Sequence, residues 1–201
     1  MPDKRTHVSP TQVPKHLRGE RSRFAQWFGR TLLQLGGWRV EGEIPNVERL
    51  LICAAPHTSN WDFVWGMAAI LGMNAKVRWI GKHSIFKPGV RRLMTWLGGI
   101  SVDRSQPKTV VEDIAKMVER DNGVVIVVTP EGTRKKVARW KTGFLRIADA
   151  ADCTILLGAL DFPSKRIILG EVFQPSGDNE ADIVEIKDYY RQFTGRRPEL
   201  F

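Results

Sequence analysis

Apolar residues along this chain fall into two recurring patterns: short unbroken runs, and longer segments with helical spacing. The runs at 50–54, 76–80, 100–103, 124–128, 155–160 and 167–172 have the length and β-branched content of strands. The run 124–128 holds no polar residue, which predicts a central strand covered on both faces. Between and after the runs, residues 61–72, 89–97, 108–120, 143–151 and 182–193 carry helical patterns. In the third of these, Val111, Ile114 and Val118 form a stripe behind Pro107, a residue suited to the first helical position. Ahead of the first strand, Phe24, Trp27, Phe28, Leu32 and Leu35 share one helix face over 22–35, flanked by Arg21, Arg23 and Arg30. Such a helix packs on its own core or lies in a membrane interface, and the pattern alone leaves both open. Strands alternating with crossover helices predict an α/β fold: a single-domain, mixed, largely parallel sheet flanked by helices. Residues 1–20 show no periodicity and are expected to be a flexible basic arm, leaving 21–201 as the domain.

Composition supports one ordered domain. The chain has 201 residues, 42% of them apolar and 26% charged, which excludes wholesale disorder. Cys53 and Cys153 stand 100 positions apart and the four histidines are scattered, so neither a zinc framework nor a disulfide scaffold is expected. Both cysteines are expected to be buried small apolar residues. The longest uncharged stretch, 63–75, is thirteen residues, against about 20 for a spanning helix. No apolar signal occupies residues 1–14, so a cytoplasmic location is expected.

The net charge of +9 is segregated. Residues 1–40 carry eight Lys/Arg against two acids, 76–104 seven against one, and 130–146 six against one. Residues 147–201 reverse the balance, with six basic residues against ten acids. That asymmetry predicts an anionic partner facing the first three-quarters of the chain: phosphate esters, anionic lipid headgroups or nucleic acid. No nucleic-acid motif accompanies it, so nucleic acid is not expected.

Two loops follow strand ends, where α/β folds gather their chemistry. In the first, the apolar run stops at Pro56 and is followed by His57-Thr58-Ser59-Asn60-Trp61-Asp62. In a continuous helix the two ends would diverge by about 140°. With a turn at 58–59 the Asp62 carboxylate reaches one imidazole nitrogen, fixes the tautomer and leaves the other nitrogen to accept a proton. Ser59 and Asp62 also have the spacing of a capping box, in which the acid serves only the helix start. Spacing leaves the two readings open. No protein nucleophile accompanies the histidine, so an attacking group must come from a substrate.

The second loop is Thr129-Pro130-Glu131-Gly132-Thr133-Arg134-Lys135-Lys136. Gly132 lets backbone amides approach a ligand and the cations that follow suit an anion, though the loop is no Walker motif. Glu131 is out of place in a phosphate cradle, which implies a second task such as holding an arginine or accepting a hydroxyl proton. A third segment, 98–104, ends in Arg104, whose planar fork suits phosphate.

Taken in order, these segments resemble the phospholipid/glycerol acyltransferase family, which includes the bacterial lysophosphatidate acyltransferases. His57 and Asp62 meet its His-x4-Asp motif, and Gly99 to Arg104 its second motif, with Lys82 upstream. Pro130 to Arg134 match Pro-Glu-Gly-Thr-Arg without a change, and Lys141-x-Gly143 fits downstream. The chain departs from the common pattern at Pro56, Thr129 and Lys135, and lacks a proline at 155–158. The resemblance implies acyl transfer without an acyl-enzyme. His57, oriented by Asp62, would deprotonate an acceptor hydroxyl that attacks the thioester of acyl-CoA or acyl-carrier protein. Arg104, Glu131, Gly132, Thr133 and Arg134 would hold the acceptor, a (lyso)glycerophospholipid such as 1-acylglycerol-3-phosphate, with Lys82 and Lys141 in support. No cofactor or metal is implied. Lipid substrates imply peripheral attachment to an anionic membrane surface, the inner face of the cell membrane. The helix over 22–35 and the basic, apolar segment 82–97 are the expected contacts. Two alternatives remain: a different acceptor on the same fold, or a non-catalytic relative that binds anionic lipid.

Overall fold

The computed structural model describes residues 8–103, 107–121 and 123–201, and for residues 107 and 108 the backbone alone. Strands β1 (Arg39–Glu41), β2 (Arg49–Ala55), β3 (Val77–Lys82), β4 (Gly99–Val102), β5 (Val124–Val128), β6 (Thr154–Asp161) and β7 (Arg166–Phe173) form one sheet. Their order is β1-β7-β6-β2-β5-β3-β4. Every neighbouring pair runs parallel except β6 and β7, so five strands share one direction and β7 and β1 oppose them at one edge. The mixed, largely parallel sheet expected from the sequence is the one observed.

Among the described residues, six α-helices accompany the strands: α1 (Arg23–Gly36), α2 (Asn60–Met73), α3 (Arg91–Trp96), α4 (Pro107–Arg120), α5 (Gly143–Ala150) and α6 (Asn179–Tyr190). β2 and β5 lie side by side in the interior of the sheet, and Leu50, Leu51, Val124, Val125 and Ile126 are fully buried. Alternate side chains enter two cores. One holds Leu50, Val125 and Leu156 with Leu33 and Met67 to Met73; the other holds Leu51, Ile126 and Ile155 with Ile114, Phe144 and Ile186. This two-sided burial explains why the strand runs are almost purely apolar rather than alternating.

Four expectations need correction. Strand β1 escaped the pattern because only Val40 of its three residues is buried, between two charged neighbours. Helix α6 begins at Asn179 rather than Asp182, because Asp178 caps it, accepting from the amides of Glu180 at 2.9 Å and Ala181 at 3.2 Å. α3 is confined to six residues. From residue 8 onward the expected flexible arm is packed structure: Val8, Val13 and Leu17 are buried in the first core. Short 3₁₀ turns at Pro10–Gln12 and Lys15–Leu17 space those side chains, and the Ile44 amide donates to the Gln12 carbonyl at 2.8 Å. Three apolar residues among many polar ones are too sparse to show a period, which is why the segment looks like a tail.

Helix α1 also turns out differently from an ordinary core helix. It packs through Ala25, Gly29 and Leu33, and its backbone closely approaches α2: a Cβ on Gly29 would stand 2.5 Å from the Ala68 carbonyl oxygen. The aromatic face faces away. Phe24 is 70% exposed and Leu35 82%, with Trp27 and Phe28 beside them. No described helix is long and apolar enough to cross a membrane.

Candidate active site

Because β2, β3, β4, β5 and β6 run in the same direction, the loops that leave them emerge at one edge of the sheet. At the end of β2, after a cis Ala55–Pro56 peptide, the chain turns and enters α2. Ser59 caps that helix, its hydroxyl accepting from the Trp61 amide at 3.0 Å. Asp62 completes the capping box, its Oδ2 accepting from the Ser59 amide at 2.8 Å. The same Oδ2 takes the Thr58 amide at 2.8 Å and stands 3.1 Å from His57 Nδ1. The one carboxylate therefore completes the cap and also stands beside the imidazole. The backbone donors that satisfy the cap also hold the buried carboxylate in place against the imidazole.

A carboxylate at Nδ1 favours the tautomer with its proton on that nitrogen, which leaves Nε2 facing away from the acid. The His57 side chain is 21% exposed, against 5% for Asp62. The histidine thus sits between a buried acid and solvent, where a substrate can approach.

The loop after β5 joins this site through Glu131. Its Oε1 accepts from the His57 amide at 2.8 Å, so the two sequence motifs, 74 positions apart, meet directly. Glu131 is buried, and burial pushes its carboxyl above the usual range, opposed by the hydrogen bond from His57. Its Oε2 is buried without a hydrogen-bond partner. The loop itself is closed by the Gly132 amide donating to the Thr129 carbonyl at 3.0 Å and the Lys141 amide to the Pro130 carbonyl at 2.8 Å. Trp140 anchors it beneath, its ring 5.8 Å from those of Tyr190 and Phe201.

The structure brings His57, Asp62 and Glu131 together, and Gly132 follows Glu131 in the chain. Thr133 turns inward on its own loop, its hydroxyl accepting from the Lys135 amide at 3.3 Å. Arg134 and Lys141 expose their side chains on that loop, and Lys82 is exposed at the end of β3 on the same edge. Arg104 lies outside the described residues. Among the described residues no cluster of three or more His, Cys, Asp or Glu could hold a metal. Neither cysteine is an activated nucleophile: burial pushes the Cys53 thiol far up and the Cys153 thiol to about 11. A hollow of about 520 Å³ lies elsewhere, lined by Asn46, Glu48, Arg49, Glu119 and Asp121 near the amino ends of β2 and β5. It is remote from these loops.

Sequence reasoning missed the contribution of the C-terminus. After α6 the Thr194 amide donates to Asp161 Oδ1 and its carbonyl accepts from Phe162, both at 2.9 Å. The Arg197 amide then donates to the Thr58 hydroxyl at 3.1 Å. Between them, Gly195 packs so closely that a Cβ there would stand 2.7 Å from Thr58 Oγ1. The Arg196 guanidinium lies 5.3 Å from the centre of the Trp61 ring. The available signal was the pair Arg196-Arg197, hidden inside a segment whose summed charge is negative.

A family model described as Acyltransferase matches residues 38–157, more than half of the chain and a span that includes both loops. Among solved structures, the 1-acyl-sn-glycerophosphate (LPA) acyltransferase PlsC from Thermotoga maritima is similar, with a TM-score of 0.57 and 20% identity. The alignment covers 85% of this chain and 78% of that one, and at this identity the likeness is one of fold. No curated protein matches the chain.

Proposed function

Because this chain belongs to the Acyltransferase family, we propose that it moves a fatty acyl group from acyl-CoA or acyl-carrier protein to the hydroxyl of a (lyso)glycerophospholipid, 1-acylglycerol-3-phosphate being the first candidate. His57 Nε2 takes the acceptor's hydroxyl proton as the oxygen attacks the thioester carbonyl. Asp62 holds the ring and stabilises the imidazolium that forms. The tetrahedral intermediate expels the thiolate, which recovers the proton from His57, leaving an ester and a free thiol. No acyl-enzyme forms, and the chemistry calls for no cofactor.

The single observation that carries this reading is the 3.1 Å pairing of His57 Nδ1 with a carboxylate fixed by two backbone amides. Glu131 acts as a positioning residue through the His57 amide. Arg104, Gly132, Thr133 and Arg134 are the proposed acceptor-binding set, with Lys82 and Lys141 adding positive charge.

An acceptor of this kind resides in a bilayer. The outward aromatic face of α1 and the segment 82–97, in which Ile85, Leu93 and Trp96 are exposed, supply the proposed peripheral contact. The two are joined: the Arg21 guanidinium lies 5.2 Å from the Trp96 ring centre and donates to the Trp96 carbonyl at 3.3 Å. With Lys87, Arg91 and Arg92 alongside, the surface suits anionic lipid on the inner face of the cell membrane.

The test is acyl transfer by the purified protein. Radiolabelled acyl-CoA and acyl-carrier protein are supplied with 1-acylglycerol-3-phosphate, headgroup-bearing lysophospholipids and simple alcohols. Phosphatidate formed by the parent and not by His57→Ala supports the reading. Preference for another lipid keeps the reaction and changes the acceptor. No transfer to any acceptor overturns it.

A further inference from the structure

The strand order places His57 between two cationic elements. On the β5 side stands the loop with Arg134 to Lys136, Arg139 and Lys141; on the β6 side stands the C-terminal segment with Arg196 and Arg197. The reaction proposed above, on which this inference rests, brings together two anionic molecules: a phosphate-bearing acceptor and a thioester donor. The donor's pantetheine arm ends in phosphate whether the rest is a nucleotide or a carrier protein. The family model stops at residue 157, and its resemblance accounts for the β5-side loop alone.

We propose that Arg196 and Arg197 are donor-binding residues that hold the phosphopantetheine phosphate of the acyl thioester. Three features of the chain support this. The segment is fastened to the catalytic loop itself, by the Arg197 amide on the Thr58 hydroxyl and the packing of Gly195 against Thr58 and Pro56. Thr58 in turn donates its amide to Asp62, so the backbone that carries the arginines keeps a set position relative to the His57–Asp62 pair. Both guanidinium groups are exposed, and Arg196 is steadied by its position over Trp61, itself 45% exposed in the first turn of α2. Guanidinium groups suit phosphate oxygens by charge and by planar, paired donors.

The experiment compares steady-state kinetics of the parent with Arg196→Ala, Arg197→Ala and the double variant, using acyl-CoA and acyl-carrier protein separately. A second arm measures free CoA binding by calorimetry, independent of turnover. The double variant should raise the donor KM about tenfold and weaken CoA binding similarly. The acceptor KM should stay within twofold, and Arg→Lys should restore part of the loss. A rise with every donor that the parent uses assigns the shared phosphate; a rise with only one of two donors that the parent uses overturns it, because the phosphopantetheine phosphate is common to both. An unchanged donor KM with both donors, or a raised acceptor KM, overturns the assignment while acyl transfer stands. A parent that transfers acyl groups from neither donor and binds no CoA removes the proposed reaction and this inference together. Both side chains are exposed, so loss of fold does not confuse the result.

Discussion

The backbone amide of His57 donates to Glu131 Oε1 at 2.8 Å. This bond joins the loop after β2 to the loop after β5 and fixes the backbone of the proposed base, while Asp62 stands against its ring. A carboxylate buried for this purpose is costly in its charged form, and burial accordingly raises the Glu131 carboxyl above its ordinary value of 4.5. An amide oxygen accepts the same hydrogen bond without that cost.

Glu131→Gln should therefore be more stable than the parent at neutral pH and lose that advantage in acid. Between 4.5 and the raised folded value, the folded parent keeps a proton that the unfolded chain has released. Parent stability consequently falls as pH rises through that window and stays reduced above it. Urea unfolding of both proteins from pH 4 to 8 measures the difference, which should grow with pH and then level. A difference independent of pH would mean that the carboxyl titrates normally. Glu131→Ala, which removes the acceptor altogether, should lower kcat about tenfold where Glu131→Gln changes it only a few-fold.

His57→Ala should reduce kcat by about 10²–10⁴ while leaving the thermal midpoint nearly unchanged, because the ring is partly exposed and belongs to neither core. Asp62→Ala should fail on two separate readouts. It removes the imidazole's partner, and it also opens the capping box of α2, at about 1 kcal/mol in stability. Kinetics and calorimetry on the pair of variants check this. A stability loss in Asp62→Ala with full turnover would leave the acid as a cap alone.

Six of the seven described strands and the two loops were legible because burial on both faces of β2 and β5 writes itself as uninterrupted apolar runs, and because loops at parallel strand ends must share an edge. What the sequence could not resolve was the choice between His57's partner and α2's cap, since one spacing serves both. It also hid contacts made by isolated residues. Val8, Val13 and Leu17 have no period to betray them, and Gly195 matters only through what lies opposite it. The direction of the α1 face was likewise undetermined, because an aromatic stripe has the same spacing whether it meets a core or a bilayer.

That stripe is open to test. Replacing Phe24, Trp27 and Phe28 together by Ser should leave stability within about 0.5 kcal/mol for each site, as expected of exposed positions. Leu33→Ala on the buried side of the same helix should cost about 2–5 kcal/mol. The triple variant should lose co-sedimentation with anionic vesicles, and the parent's binding should weaken as salt rises. Equal sedimentation of parent and triple variant would remove α1 from the membrane contact.

The N-terminal segment gives the sharpest contrast between sequence and structure. A flexible arm predicts that residues 8–20 can be deleted, or mutated, with no effect on folding. In the structure Leu17 is fully buried, the Lys76 amide donates to its carbonyl at 2.8 Å, and Arg18 bridges to Ala75. Leu17→Ala should thus cost about 2–5 kcal/mol, lowering the thermal midpoint by roughly 2–4 °C per kcal/mol in a chain of this size. Lys15→Ala, two residues away and exposed, should change it by less than about 0.5 kcal/mol. Calorimetry on the two variants distinguishes a packed segment from a tail, and equal midpoints would return residues 8–20 to the arm.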